Sequence, residues 1–519
     1  MLRRYLAIAL ALLTAPVLSA QTFPSTDSTI RRIWAEGMDS SQAYNLAQAL
    51  MDSIGPRLTG TPGIRSGNDW LVARYQGWGV TARNVQYGTW KGWRRGVTHV
   101  DLLQPRVRTL EATMLAWSPG TRGKIQGGLV ILPDVADSSA FRTWLPQVKD
   151  KFVLISFAQP TCRPDSSYRQ FATQESFDRM VQQRTAARGA WTARLGRTGD
   201  NARALAGRLE QAGARGILTS NWSQGWGVNK IFGANTTQVP TLDVSCEDYG
   251  LLYRLAERNQ GPVIQVEAQS EAMGEIPVFN TIAEIRGREK PDEYVIMSAH
   301  FDSWDAGSGA TDNGTGTTTM LEAMRILRKV YPNPRRTILV GHWSGEEQGL
   351  NGSRAFAADH PEIVRGVQAV FNQDNGTGRV STIGMSGMLD AGSHFGEWLS
   401  RVPSEISRHI TLSFPGNPAG GGSDHAAFAC YGAPAFGLGS NSWEYGTYTW
   451  HTNRDTFDKI SFDEIRNNAT LTAMLVYLAS EDPETVGRTR RVMGMNQQGQ
   501  QQTWPQCQAP ARKSSESTR

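Results

Sequence analysis

The chain has 519 residues, of which 39% are hydrophobic, and a formal net charge of +5. This length predicts more than one domain, and the composition is that of a globular protein with large cores. The charge is modest and no lysine-rich block occurs; the arginines between residues 163 and 208 lack interleaved aromatic residues. The sequence therefore predicts no nucleic-acid partner.

The first twenty residues have the pattern of a secretory signal peptide. Arg3 and Arg4 precede an apolar run over residues 6–13, and Ser19 and Ala20 provide small residues for cleavage after Ala20. An uncleaved anchor is the weaker alternative. The run is too short to span a bilayer, and no later stretch approaches the ~20 apolar residues required. We expect an exported protein, secreted or periplasmic, without an integral membrane segment.

The next part of the chain predicts two helices, around residues 41–54 and 64–75, separated by a glycine- and proline-rich turn over 55–63. From about residue 115 to 270 the pattern changes to short strands alternating with a helical stretch over 202–212, without a cluster of metal ligands. The charged segment between residues 163 and 201 predicts amphipathic helices. A structural role is favoured for it over roofing an active site or mediating dimerisation.

Four cysteines occur in the chain, Cys162, Cys246, Cys430 and Cys507. Export permits disulfides, and a Cys162–Cys246 bond is conceivable because both residues fall in the same segment. The sequence alone establishes no pairing.

The stretch from residue 294 to 316 has the strongest chemical pattern. A short apolar run predicts a buried strand that leads into His300 and Asp302, and a glycine-rich loop carrying Asp312 follows. An imidazole and two carboxylates at the end of such a strand suit a divalent metal. The alternative is a structural loop whose histidine is merely hydrogen-bonded.

Two further strands favour the metal site. One ends before Glu346 and Glu347 and the other before Asp374, so three strands deliver polar side chains to one sheet edge. An acidic pair directly after a buried strand is not where a surface pair is expected. His451, within a Tyr-Thr-Trp-His-Thr stretch, can complete the ligand set.

The order of these motifs (H-x-D, D-N-G-x-G, E-E-x-G, D, and W/Y-H-T-x-x-D-T) resembles that of the zinc-dependent M28 peptidases. The stretches 279–281, 287–291 and 300–305 are most similar to carboxypeptidase members of that family. The resemblance implies an α/β fold, a mostly parallel mixed sheet with helices on both faces, and an inserted protease-associated domain. The implied division is residues 21–114 and 271–482 for the peptidase domain and 115–270 for the insertion. Residues 483–519, rich in glutamine and charge, are predicted to form a disordered tail.

The resemblance also implies two zinc ions bound by five side chains, with Asp312 bridging. One ion would take His300, Asp312 and Asp374, and the other Asp312, Glu347 and His451. The implied catalytic residues are Glu346, as the general base, and Asp302, as a carboxylate orienting His300. Asp455 is expected to act similarly near His451, and Asp424 and His425 are candidates for substrate contact.

The predicted function is therefore that of a secreted di-zinc exopeptidase hydrolysing dipeptides or short peptides by means of a zinc-activated water. An aminopeptidase acting on longer peptides is the main alternative, and a glutaminyl cyclase or a noncatalytic binding module are more remote ones. No G-x-S-x-G or H-E-x-x-H motif occurs, which argues against serine hydrolase and zincin chemistry. The expected partner is a peptide substrate, and a homodimer is compatible with the sequence.

Overall fold

The computed structural model describes residues 25–517. Its strands are β1 (Thr81–Gln104), β2 (Arg108–Thr109), β3 (Ala112–Met114), β4 (Ile125–Ile131), β5 (Phe152–Leu154), β6 (Gly216–Thr219), β7 (Thr241–Val244), β8 (Val263–Ile285), β9 (Lys290–His300), β10 (Arg336–Trp343), β11 (Val367–Asn372), β12 (Val380–Gly384), β13 (Thr411–Ser413) and β14 (Ala435–Ser440). Its helices are α1 (Ser28–Trp34), α2 (Ala43–Gln48), α3 (Pro62–Gly77), α4 (Ser138–Trp144), α5 (Asp165–Phe171), α6 (Gln174–Arg197), α7 (Ala202–Gln211), α8 (Cys246–Glu257), α9 (Thr315–Val330), α10 (Asn351–Asp359), α11 (Pro361–Gly366), α12 (Ala391–Arg401), α13 (Ser404–Ser407), α14 (Ala426–Ala429) and α15 (Phe462–Glu481).

The strands join in the order β13-β12-β14-β11-β9-β10-β8-β4-β5-β6-β7-β3, and β1 pairs with β8 and β2. Strands β10, β9, β11 and β14 are parallel neighbours, whereas β8 runs antiparallel to β10 and β12 antiparallel to β14. The predicted mostly parallel mixed sheet is confirmed. The carboxyl ends of its central strands meet at one edge, where a ligand site is expected.

Helices cover both faces of this part of the sheet, as predicted. On one face, α9 buries Met320, Leu321 and Met324 in a core shared with α15 and β9. On the other, α10 and α14 contribute Phe356 and Phe428 to a second core. These side chains recur at helical spacing, so each helix turns one apolar surface toward the strands.

A second α/β unit lies between β3 and β8. Its strands β4 to β7 are parallel neighbours and β3 runs antiparallel to β7, with separate cores beneath. The long strands β1 and β8 pair antiparallel from Thr81↔Glu284 to Gln104↔Val263 and belong to both units. The boundary predicted at residue 270 therefore falls inside β8. That this unit is a protease-associated domain stays a prediction.

The charged segment beginning at residue 163 forms helices α5 and α6, as predicted. Trp191 of α6 lies in the core of the second unit, and its indole N–H donates to the carbonyl oxygen of Ile155 at 3.2 Å. These contacts give the segment a structural role.

The four cysteines form two disulfides. The conceivable Cys162–Cys246 bond is present, and a second bond joins Cys430 to Cys507. The prediction of a disordered tail is wrong for residues 483–517, because this disulfide and backbone contacts fix the segment. The carbonyl of Arg512, for example, accepts a 2.8 Å hydrogen bond from Thr89 N in β1.

The predicted signal peptide, residues 1–20, lies outside the described residues. None of the helices in the part of the chain that the structure describes combines the length and apolar character needed to cross a membrane.

Candidate active site

The carboxyl ends of three parallel strands bring the predicted side chains together. His300 is the last residue of β9, Glu346 and Glu347 follow β10, and Asp374 follows β11. Since β9 lies between β10 and β11 in the sheet, the three ends are neighbours. His451 arrives from a loop after β14 and meets them from the side of the second unit.

These side chains form two groups that could each hold a metal ion. In the first, His300 Nε2 lies 2.9 Å from Asp374 Oδ1 and 3.4 Å from Asp312 Oδ1. In the second, His451 Nε2 lies 3.0 Å from Glu347 Oε2 and 3.2 Å from Asp312 Oδ2. Asp312 therefore belongs to both groups and turns one carboxylate oxygen toward each.

The backbone before Asp312 is fixed by a buried carboxylate. Asp455 accepts hydrogen bonds from the backbone N–H groups of Thr311 at 2.7 Å and Asp312 at 3.0 Å. The expectation that Asp455 orients His451 is therefore replaced, because its two oxygens are used to hold the loop that presents Asp312.

Asp302 also differs from its predicted role. The Nδ1 of His300 lies 2.9 Å from the backbone carbonyl oxygen of Asp302, and 3.7 Å from its carboxylate. The carboxylate instead accepts from the backbone N–H groups of Glu346 at 3.1 Å and Glu347 at 3.2 Å. The side chain of Asp302 thus holds the acidic turn, and its carbonyl orients the imidazole.

The donor chemistry fits zinc. With Nδ1 of His300 donating to a carbonyl, the lone pair of Nε2 points at carboxylate oxygens, an arrangement that needs a proton or a metal ion between them. Oε1 of Glu347 is buried without a hydrogen-bond partner within residues 25–517. Two imidazoles and three carboxylates are ligands that zinc takes, and each group offers three of them, the number that catalytic zinc sites use.

The side chains alone are strongly coupled through their charges. Burial opposes a charge on His300, but Asp374, Asp302 and Asp312 together outweigh it and hold the pKa well above its usual value. Burial likewise opposes a charge on His451, yet Glu347 and Asp312 raise its pKa to about 9. For Glu347 burial dominates and raises the pKa to about 7, although His451 acts against it. A bound cation would displace these protons.

Glu346 is not a member of either ligand group, although it adjoins Glu347. It lines the same cavity and is 9% exposed. Burial raises its pKa well above the usual value; His300 opposes this and Asp374 adds to it. Positive charge in the adjacent ligand groups lowers such a pKa, which would give a carboxylate able to accept a proton.

His451 depends on the second unit for its position. Its backbone is left-handed, with φ of 59°, which is rare and costs about 1 kcal/mol or more for a non-glycine residue. The carbonyl of His451 accepts a 2.7 Å hydrogen bond from Ile231 N, and the ring of Phe232 lies 5.2 Å from the imidazole. Trp304 lies at 5.8 Å and Trp450 stacks at 3.9 Å.

Ile231 and Phe232 could not be identified from the sequence, because they are apolar residues in an irregular segment and carry no catalytic or metal-binding group. The role of Arg57 is also not evident from the sequence, which predicts only the glycine- and proline-rich turn that contains it. Its buried guanidinium donates to the carbonyl oxygens of Phe301 and Gly309, at 2.8 and 2.9 Å, and so supports the loop behind His300 and before Asp312.

Asp424 and His425 lie behind the cavity wall. The Asp424 side chain is fully buried and His425 is partly buried; burial raises the pKa of Asp424 to about 7 and lowers that of His425 to about 4. Of their glycine-rich loop, Gly422 lines the cavity. Neither Asp424 nor His425 lines the cavity, so substrate contact by these two side chains stays a prediction.

A cavity of about 1210 Å³ opens above the two ligand groups. Its floor includes His300, Glu346 and His451, and the second unit supplies the opposite wall. The C-terminal segment adds Ser514 and Ser517 at the rim. Both units therefore enclose the space in which a substrate would meet the acidic side chains.

Comparison with known proteins identifies a peptidase family over part of the chain. Residues 280–476 match the model of peptidase family M28. Carboxypeptidase Q from Bos taurus is 24% identical over 454 residues, which cover 87% of this chain and 88% of that protein.

Two solved structures share the fold. The peptidase M28 precursor from Shewanella amazonensis SB2B superposes with a TM-score of 0.63 at 24% identity, covering 88% of this chain and 97% of that one. BSAP, a zinc aminopeptidase from Bacillus subtilis, gives 0.53 at 18% identity, covering 86% and 96%. The family match over residues 280–476, the carboxypeptidase relatives and the shared fold together support a metallopeptidase similar to those of peptidase family M28.

Proposed function

We propose that the protein is an exported di-zinc exopeptidase that releases amino acids from dipeptides or short peptides, with Glu346 as general base. The observation that carries this proposal is the pair of ligand groups that share Asp312. Five side chains are too few for two separate three-ligand sites, but they suffice when one carboxylate serves both.

The residues divide the chemistry between them. His300, Asp312 and Asp374 would hold one ion and Asp312, Glu347 and His451 the other. Zinc at such a site supplies an acidified water and a polarised peptide carbonyl. Glu346 takes a proton from the attacking water and delivers it to the leaving amine, a transfer that a positioned carboxylate makes possible. Asp302 keeps Glu346 in place through its backbone N–H.

The preference for short substrates rests on similarity to carboxypeptidase Q and on the enclosure of the cavity by both units. An aminopeptidase acting on longer peptides is the second candidate, favoured by a cavity of about 1210 Å³, which exceeds the usual ~300–1,000 Å³ of small-ligand pockets. Faster turnover of unblocked dipeptides than of longer peptides supports the first candidate, and the reverse supports the second.

Export is supported by the two disulfides, which persist in oxidising compartments. The amino-terminal pattern at residues 1–20 agrees with it.

One pair of neighbouring substitutions tests the roles of the acidic turn. Glu346→Gln preserves size but accepts no proton, so zinc content should survive while kcat falls by ~10²–10⁴. Glu347→Gln weakens a ligand and should lower zinc occupancy together with the rate. Zinc stoichiometry and kcat are measured on the same preparations. A zinc-depleted Glu346→Gln beside a zinc-replete Glu347→Gln would reverse the two roles, and a fully active Glu346→Gln would refute the mechanism.

A further inference from the structure

The cavity has acidic side chains at one end and basic side chains on one wall. Asp312, Glu346 and Glu347 line the end at the ligand groups. Lys91 of β1 and Arg203 of α7 line the wall contributed by the long ladder and the second unit. The acidic end has an evident use in metal binding and proton transfer, whereas the basic wall has none in the chemistry described above.

The two cations lack close counter-charges. Among residues 25–517, neither Lys91 nor Arg203 has a carboxylate within ion-pairing distance. Glu275 is opposite Lys91 in the β1–β8 register and attracts it, but a carboxylate oxygen of Glu275 accepts a 3.0 Å hydrogen bond from Ser514 Oγ. Burial, together with the neighbouring Arg203, lowers the pKa of Lys91. Two cations held near each other in a cavity wall create a favourable position for an anion.

A chain of ring contacts links this wall to the ligand groups. The ammonium of Lys91 lies 4.5 Å from the ring centre of Trp117, which lies 5.8 Å from Trp304, and Trp304 lies 5.8 Å from the His451 ring. Since an extended residue spans about 3.3–3.6 Å, a peptide of about five residues is long enough to reach from the His451 ring to the ammonium of Lys91. A peptide bound at the acidic end can therefore bring a group to the basic wall.

We propose that Lys91 and Arg203 form a binding site for a carboxylate of the peptide substrate, so that the enzyme selects short peptides with an anionic end. This inference rests on the proposed peptidase function and names the feature that would set its substrate class. The carboxylate could be the C-terminal one or an acidic side chain of the last residue. Both present the same pair of oxygens to an ammonium and a guanidinium.

The site also limits length. A substrate whose scissile bond is at the acidic end and whose carboxylate is at Lys91 has a fixed number of residues between them. Longer peptides lose the carboxylate contact or must fold within the cavity. Trp117 keeps the ammonium in place by contact with its ring face, which reduces the conformational freedom lost when substrate binds.

The test uses unblocked peptides of two to five residues, each as free acid and as C-terminal amide, on the zinc-loaded enzyme. Wild type should show a higher kcat/KM for the acid at one preferred length. Lys91→Met and Arg203→Met should each lower kcat/KM for the peptide that carries the bound carboxylate by about ten- to a hundredfold, mainly through KM, and leave the matched peptide without that carboxylate unchanged. Lys124→Met, at an exposed lysine outside the cavity, is the matched control.

Amidated peptides ending in Glu or Gln separate the two carboxylate sources. A Glu preference that disappears in Lys91→Met assigns the site to a side chain, and an acid-over-amide preference that disappears assigns it to the C-terminus. Equal losses on acids, amides and both Glu and Gln peptides, or no loss at all, would overturn the proposal. Wild type inactive on every unblocked peptide would instead reject the peptidase function on which the proposal rests.

Discussion

The two ligand groups share Asp312 but are built differently. The first takes His300 and Asp374 from the ends of the adjacent parallel strands β9 and β11. The second takes His451 from a loop with an unfavourable backbone conformation, held by Ile231 and Phe232 of the other unit. The first group is therefore positioned by the sheet, whereas the second forms only where the two units are in contact. We expect the second to be the weaker and more adjustable site.

The largest expected effect comes from removing what the two groups share. Asp312→Ala should lose nearly all bound zinc and activity, because both groups fall to two ligands. Elemental analysis of purified protein measures this, with Asp178→Ala on the exposed face of α6 as control. Retention of two zinc ions would contradict the bridging arrangement.

A smaller loss should follow from breaking the second group alone. His451→Ala should reduce zinc content from about two ions to about one, since the first group keeps His300 and its two carboxylates. Isothermal titration of metal-stripped protein would report one remaining tight site. Loss of both ions would mean that the groups are cooperative and that the contrast between them is wrong.

Phe232 tests how far the second group depends on the other unit, because its ring lies beside His451 but is not itself a metal ligand. Phe232→Ala removes the ring beside His451 and should weaken zinc binding at the second group by ~10-fold, at the lower end of the usual effect of residues that support metal ligands. The first group should keep its affinity. Phe171→Ala, at an exposed phenylalanine of α5, serves as control, and an equal weakening of both sites would remove the proposed dependence.

The smallest effect concerns the pH stability of metal-stripped protein. The pKa of His451 is raised to about 9, so its stabilising charge is fully present below the unfolded value near 6.5 and is lost as pH rises through 9. Glu347, with a pKa raised to about 7, acts in the same direction at lower pH. The melting temperature should fall between pH 6.5 and 9, by the order of a few degrees. Zinc-loaded protein should show a smaller fall, and an increase in the stripped form would contradict the prediction.

Strand ends were the most predictable feature of the molecule. An apolar run that stops at a polar residue fixes both the strand and the edge where that residue emerges, so His300, Glu347 and Asp374 could be placed from sequence. The roles of Asp302 and Asp455 could not. Which atoms of a carboxylate meet which backbone N–H groups depends on loop geometry that local patterns do not encode.

Contacts between residues far apart in the chain could not be predicted from the sequence either. Phe232 is one apolar residue among many, and its contact with His451 joins positions more than 200 residues apart. The prediction of a disordered tail failed for a related reason. Its polar composition predicts disorder, but a covalent bond from Cys507 to Cys430 holds it where side-chain burial alone would not.

The β1–β8 ladder has a consequence for motion. A hinge needs a few residues that absorb a change in backbone angles, whereas these strands remain hydrogen-bonded to each other from one unit into the other, interrupted only by bulges such as that between Gly92 and Trp93. The two units are therefore expected to move as one rigid body during turnover. Substrate would enter and product would leave through the mouth of a cavity of constant shape, so release would be set by diffusion and local side-chain motion, without a domain-closure step.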